Sequence, residues 1–598
     1  MPRTVRIGGA SGFWGDSQIA VPQLLKVPGL DYLVFDYLAE TTMSILSRAK
    51  AKDRASGYAT DFVTQAMGPN LKAISAGGIR VVANAGGLNP GACAAALRAL
   101  IAEAGLDLPV AVVEGDDLMP RLDDLRRLNV RDLETGAALP AKVMSANAYL
   151  GARPIAAALE RGARIVVTGR CVDSAIVVGP LVHEFGWSWT DWDRLASGTL
   201  AGHVIECGAQ ATGGLFTDWK RVVGWDDIGY PVIECAEDGS FVVTKPAGTG
   251  GLVEPAAVAE QILYEIGDPA SYAMPDVVCD LRRVTVEANG PERVRVAGAR
   301  GRPPSDRLKV SVTVADGYQL DPMLAIRGFD AVEKAEKTAE ALLRRTRRQM
   351  SEAGFADYAA TLVEFLGAEA LYGPHGRGDA TREVVLRLAV RHADRRALEF
   401  LRREVTSPGT SMGPGTRGHF SGRTDIRPVV RLFSCFAPSD MAVAQVVDGK
   451  GTLVVPAPAS APMRQPDEVA PVGAVAPEDP VPVRLIELAW ARSGDKGDDC
   501  NIGIIARKPD YLPVLRHGLT VEAVASWMAH LATGPVERFD LPGIKALNFV
   551  IRRALGGGGM ASLRSDPLGK SFAQILLEMP VPVPSALMRR DGLQSLSM

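Results

Sequence analysis

Cysteine is sparse and unpatterned in this chain. The seven cysteines, Cys93, Cys171, Cys207, Cys235, Cys279, Cys435 and Cys500, are odd in number and never form C-x-x-C. That spacing excludes a disulfide frame and a zinc ribbon and fits a reducing compartment. Neither sign of charge prevails, because 66 lysines and arginines face 69 aspartates and glutamates. A global basic field for nucleic acid is therefore missing. The arginine-rich stretches at 342–348 and 395–403 alternate with acidic or apolar residues at helical spacing and read as solvated helix faces. No apolar run approaches the ~18 to 20 residues of a membrane span. Met1-Pro2-Arg3 leads straight into a strand, so no secretory leader is expected. The expectation is a cytoplasmic protein with neither nucleic acid nor membrane as partner.

Familiar ligand loops are missing too. The glycines after the first strand do not form G-x-G-x-x-G, and no Walker-type phosphate loop follows an early strand. SGDKGDDCNIG at 493–503 lacks the glutamate that closes a calcium loop.

What the chain does have is length and apolar content. Its 598 residues, 47% hydrophobic and 23% charged, describe a folded protein of several domains. In the first half, Val/Ile-rich runs at 5–9, 32–37, 79–86, 109–115 and 163–169 alternate with helical patterns at 40–52, 60–75, 90–104 and 154–161. Continuous apolar runs bounded by glycine and spaced by amphipathic helices predict a mainly parallel sheet buried on both faces. An α/β domain is expected over 1–270 and an α+β domain over 271–454, with strands near 277–286, 293–297, 308–314, 318–326 and 384–389 and helices at 330–353 and 394–405. Residues 455–482 are rich in proline and alanine without periodicity, which predicts an extended linker. The remainder, 483–598, reads β-β-α-β-α, a ferredoxin-like or split α+β arrangement.

Parallel strands deliver their carboxyl ends to one edge, where ligands bind. The stretch RIGGASGFWGDS at 6–17 places Gly8, Gly9 and Ser11 there, and NAGG at 84–87 adds Asn84 and Gly86. EGDD at 114–117 supplies paired carboxylates around Asp116, suited to sharing a proton, and helix capping would explain them equally. TGRCVDSA places Arg170 and Asp173 between a strand and a helix, where they would grip an anion or polarise water. HVIECGAQATGG offers His203, Glu206 and Cys207 within two turns. His203 and Cys207 stand at i, i+4, the spacing of a base and a thiol nucleophile, whereas a cysteine beside glycine is otherwise a small packing residue. Lys496, in the aspartate-rich loop, and Arg564 and Lys570, in the glycine-rich stretch at 556–571, are candidates for phosphate contacts. Magnesium held partly by substrate phosphate would suit the same aspartates.

Taken together, RIGGASGFWGDS, NAGGLNP, TGRCVDSA, HVIECGAQATGG, KPAGTGG and SGDKGDDCNIG resemble the acyclic terpene utilisation AtuA family, with its fused ferredoxin-fold domain over the last hundred residues. The resemblance implies catabolism of acyclic terpenes such as citronellol and geraniol, whose branched acids are handled as coenzyme A thioesters. It transfers no catalytic residues. The expected function is hydratase, dehydratase or lyase chemistry on a branched acyl-CoA, in a homo-oligomer. The alternatives are a noncatalytic acyl-CoA binding or assembly subunit and a nucleotide-dependent acyl-activating enzyme.

Overall fold

The computed structural model describes residues 3–417, 424–458, 465–470 and 473–596. Its centre is an eleven-stranded sheet. Five adjacent strands, Thr4–Gly9, Tyr32–Phe35, Arg80–Ala83, Ile165–Thr168 and Val110–Glu114, run parallel in that spatial order. The sequences YLVF and IVVT are buried at every position, as strands covered on both faces must be. The helices Glu40–Lys52, Pro90–Glu103 and Arg153–Glu160 fall where the periodicity put them. The helical pattern at 60–75 breaks into a π-turn at Phe62–Met67, a 3-10 turn at Gly68–Asn70 and a short helix at Leu71–Ala76. Gly68 and Pro69 explain the break, since one lowers helix propensity and the other removes a backbone donor.

The flanks of the sheet are antiparallel. Val232–Ala236 pairs with the first strand, and Phe241–Thr244, Val294–Ala297 and Thr285–Ala288 follow outward. Ala444–Asp448 and Gly451–Val455 cover the opposite edge. One sheet therefore takes strands from both sides of residue 270. Capping an open edge requires only a free ladder of backbone groups, and distant strands fill it.

A second sheet is built on Arg307–Leu320, which pairs with Arg427–Pro438, with Glu383–His392 and, across the chain, with Ser145–Ala148. The helix Ala331–Glu352 lies on this layer through Ala335, Thr338, Ala339, Leu342, Thr346 and Met350, a single buried stripe at helical spacing.

Beyond the linker, Ala489–Lys496, Asp499–Ala506, Ala546–Ile551 and Val536–Leu541 form a four-stranded antiparallel sheet with its own core. The strand Val536–Leu541 and the helix Tyr511–Gly518 add to the β-β-α-β-α pattern. Parts of the linker, 459–464 and 471–472, lie outside the described residues. The described parts lie against the fold: Arg282 donates to the Asp467 carbonyl at 2.6 Å, and the Val475 amide donates to the Pro513 carbonyl at 3.2 Å. No helix among the described residues is long and apolar enough to cross a membrane.

Candidate functional site

The parallel strands bring four polar loop ends to one edge. Asp36 follows Tyr32–Phe35, and Asn84 follows Arg80–Ala83. Asn84 Nδ2 donates to Asp36 Oδ1, and its Oδ1 accepts the Tyr37 amide at 2.7 Å. Ser11 Oγ donates to the Asp36 carbonyl at 3.1 Å. Burial, reinforced by the charge of Asp173, pushes the Asp36 carboxyl well above the usual carboxylate range.

Arg170 and Asp173 follow Ile165–Thr168. The guanidinium is buried and donates to Asp173 Oδ1 at 2.7 Å and to the Cys171 carbonyl at 2.8 Å, while its Nε has no partner. It stacks over Tyr149 at 4.1 Å from the ring centre. Tyr149 donates to Glu40 Oε1 at 2.7 Å, which also accepts from Lys309 at 3.1 Å. Burial would raise the Glu40 carboxyl, but Lys309 and Arg170 hold it well below the usual range. One chain of contacts thus runs Asp173, Arg170, Tyr149, Glu40, Lys309.

His203 and Glu206 come from the C-terminal end of the helix Trp192–Ile205. His203 Nδ1 lies 3.0 Å from Glu206 Oε1, and both side chains are buried. Burial pushes Glu206 up to about 7. Burial acts to lower His203, but the Glu206 hydrogen bond and charge outweigh it and raise the imidazole. With both groups shifted upward, the pair keeps a proton near neutral pH. The expected partner of His203 was Cys207. The imidazole bonds Glu206 instead, and burial together with the Glu206 charge pushes the Cys207 thiol far up, away from thiolate.

The C-terminal domain supplies the facing wall. Lys570 Nζ contacts the Tyr264 hydroxyl and lies 3.4 Å from Asp495 Oδ1 and 3.5 Å from Glu265 Oε1. Lys496 Nζ donates to the Glu265 carbonyl at 2.9 Å and sits 5.8 Å from the Tyr272 ring centre. Side chains of Glu40, Lys309, Asp173, Asp495, Glu265 and Lys570 keep between 25% and 38% of their area open to solvent. Yet burial is the largest influence on Glu40, Lys309, Asp173 and Asp495. These half-exposed groups gather along the crevice-like seam where the α/β layer meets the C-terminal sheet.

Other expected residues have different work. The Gly9 amide donates to the Pro231 carbonyl at 2.9 Å, so it is not free to hold an oxyanion. A Cβ on Gly8 would lie 2.8 Å from Leu24, on Gly9 2.4 Å from the Ile205 carbonyl, and on Gly86 2.5 Å from the Thr168 carbonyl. These glycines permit close packing. Asp116 accepts from the Arg170 amide at 2.9 Å and from Asn147 Nδ2 at 2.8 Å, which props the loop carrying Arg170. Burial raises its carboxyl to about 6. Arg564 donates to the carbonyls of Ala554 and Leu531, so it braces its own domain and is not presented to a phosphate. The hairpin aspartates diverge: Asp495 faces Lys570, Asp498 accepts the Gly557 amide at 2.7 Å, and Asp499 meets Arg552 at 2.7 Å. That arrangement is no magnesium cradle. Among the described residues no three His, Cys, Asp or Glu side chains gather as a metal-binding group.

Glu40, Lys309, Glu265, Tyr264 and Tyr272 went unpredicted. The acid–base cluster is assembled from elements far apart in the chain, and no local pattern marks them.

The model of the acyclic terpene utilisation family protein AtuA matches residues 5–447, and that of the AtuA ferredoxin-like domain matches residues 483–582. No curated protein and no solved structure matches the chain.

Proposed function

Because the chain belongs to the acyclic terpene utilisation AtuA family, we propose that it is an enzyme of acyl-CoA catabolism acting on a branched, terpenoid-like thioester by hydratase, dehydratase or lyase chemistry. The observation that carries this reading is the buried His203–Glu206 pair, which holds a proton near neutral pH at the edge where Arg170 and Asp173 meet. Adding water across an enoyl thioester, or removing it, needs a group that takes a proton from one carbon or oxygen and returns it to another. Glu206 performs that exchange and His203 orients it. Charge that builds on the thioester oxygen needs a preorganised cation in a site of restricted water. Lys496 and Lys570 line the same crevice and meet that need.

The test is thermal shift of the purified protein against coenzyme A, branched enoyl- and hydroxyacyl-CoAs, ATP and NAD. A true ligand at a hundred times its Kd stabilises by about 2.7 kcal/mol. Stabilisation by one thioester class, with turnover by mass spectrometry that falls roughly 10²-fold or more in Glu206→Gln, is expected. Silence from every thioester beside a response to ATP would overturn the proposal.

A further inference from the structure

Arg170 engages the protein with only one side of its guanidinium. The side chain is 3% open to solvent, and both hydrogen bonds it donates, to Asp173 Oδ1 and to the Cys171 carbonyl, leave from Nη1. Nε is buried without a partner, and Nη2 makes no hydrogen bond among the described residues. Arg387, 6% open, shows the contrast: its Nη1 donates to Glu364 and to the Leu563 carbonyl, and its Nη2 to Asp321. An arginine that only braces the fold is satisfied in that way, because a buried N–H without an acceptor is costly. Arg153, Arg164 and Arg302 also carry an unpartnered nitrogen, but their side chains are half-buried. Arg170 is moreover held in one plane. Tyr149 stacks on it at 4.1 Å and is itself fixed through Glu40 to Lys309. The free edge, Nε–H beside Nη2–H, offers two parallel donors at the spacing of the two oxygens of a carboxylate.

We propose that the free Nε/Nη2 edge of Arg170 binds a carboxylate of the substrate, so that the thioester handled here is one arm of a dicarboxylic acid. The proposal rests on reading the crevice as an acyl-CoA site and narrows the acyl group. Arg170 belongs to the α/β side and Lys496 and Lys570 to the C-terminal side, so a molecule with a free acid at one end and a thioester at the other spans the seam. Asp173, the partner of Arg170, keeps 34% of its side chain open and marks the way in. A slim carboxylate on a carbon chain suits a guanidinium this deep, whereas the bulkier and more strongly hydrated phosphates of coenzyme A suit the wetted lysines. The neighbouring carboxyls do not repel the entering anion in full, since burial pushes Asp36 and Glu206 up toward their neutral forms. The Asp173 charge takes up one N–H of Arg170 and leaves the edge itself unclaimed. An uncharged acyl tail of the same length would leave the buried edge unpaired, which is how a site built for a polar group rejects an apolar one.

The experiment measures, by titration calorimetry on the full-length protein, the Kd of glutaryl-CoA and of pentanoyl-CoA, five-carbon thioesters that differ in the terminal carboxylate. Glutaryl-CoA should bind at least about tenfold more tightly, as a charge-assisted bidentate pair requires. Arg170→Lys keeps the charge and loses the fork, so it should reduce that preference to about threefold or less while pentanoyl-CoA binds as in the parent. Lys496→Met and Lys570→Met should keep the ratio of the two affinities, whatever they do to each, which ties the preference to Arg170 even if Arg170→Lys does not fold. Equal affinities in the parent overturn the carboxylate site and leave the acyl-CoA reading standing. A preference that survives in folded Arg170→Lys, or that disappears with either crevice lysine, also overturns it by placing the carboxylate elsewhere. Binding of neither thioester overturns the acyl-CoA reading and the carboxylate site with it.

Discussion

The main-chain amide of Glu265 donates to Asn501 Oδ1 at 2.9 Å, so a residue of the C-terminal sheet fixes the loop that enters the crevice. Asn501 Nδ2 donates to the Leu263 carbonyl at 2.7 Å and to Asn548 Oδ1 at 3.0 Å. Asn548 Nδ2 then reaches the carbonyls of Ile266 and Gly267 at 2.8 and 2.7 Å. Glu265 is held at φ 60°, a left-handed conformation that costs a residue with a Cβ about 1–2 kcal/mol. The two asparagines over-determine the turn and so maintain it. Gly494 and Gly503 let the loop come this close, since a Cβ on either would lie 2.5 Å from Tyr264 or Leu263.

Replacing Asn501 by alanine removes one acceptor and two donors at a buried position. The Glu265 amide then loses its acceptor and the Leu263 carbonyl keeps only the 3.4 Å bond from the Ile266 amide, and the expected destabilisation is about 2–4 kcal/mol. Urea denaturation measures it. Glu265→Gly, which relieves the left-handed strain, should cost less than Glu265→Ala, which removes the same carboxylate and keeps the strain. Equal midpoints for these two variants would contradict the strained clamp.

Asp116 makes stability depend on pH. Its carboxyl is raised by burial to about 6 in the folded chain, against roughly 3.9 unfolded. The folded state therefore binds the proton more tightly, and the contribution is fully present below about pH 4 and lost as pH rises through 6. A shift of about two units is worth about 3 kcal/mol. Asp116→Asn, which keeps an oxygen for the Arg170 amide and Asn147, should cost little at pH 4. At pH 7 it should gain on the parent by about that amount. Denaturation of both proteins across pH 4–7 checks the sign.

The thiol of Cys207 is held far from thiolate by burial and the neighbouring Glu206 charge. Iodoacetamide at pH 7 should modify it more slowly than a free cysteine peptide. Cys207→Ser should keep turnover of the responsive thioester within about threefold, whereas loss of a true covalent nucleophile costs orders of magnitude. A collapse of turnover in the serine variant, with the fold intact by circular dichroism, would restore the thiol to catalysis.

The parallel centre of the sheet was legible because YLVF and IVVT are apolar at every position, a pattern that only double-sided burial requires. From that step the edge followed, and Ser11, Asn84, Arg170, Asp173, His203 and Glu206 do come to it. The glycines misled because a turn that packs and a turn that binds a ligand share one composition. The rest of the crevice was hidden by distance. Lys309 lies 269 residues from its partner Glu40, and Lys570 lies 306 from Tyr264. Pairings of that length leave no periodicity, since they are set by how two domains dock. The flanking strands Thr285–Ala288 and Gly451–Val455 were obscure for a related reason: antiparallel addition to an edge carries no sequence mark of which sheet is joined.

Arg564 and Lys570 stand six residues apart and should fail differently. Arg564 donates to the Ala554 and Leu531 carbonyls inside the C-terminal domain. Truncating it leaves two partly buried carbonyls unpaired, so Arg564→Ala should lower stability by about 1–3 kcal/mol per group exposed. Folded Arg564→Ala should bind thioester like the parent. Lys570 bridges Tyr264, Asp495 and Glu265 at the crevice wall, 37% open to solvent. Lys570→Met keeps the stem and removes the charge, so its melting midpoint without ligand should move little. Its ligand-induced shift should shrink by most of its size, because the cation that holds the thioester oxygen in the bound complex is lost. The comparison needs only thermal melts of two variants with and without ligand. A normal ligand response in Lys570→Met, or a lost response in well-folded Arg564→Ala, would reverse the roles given to these two side chains.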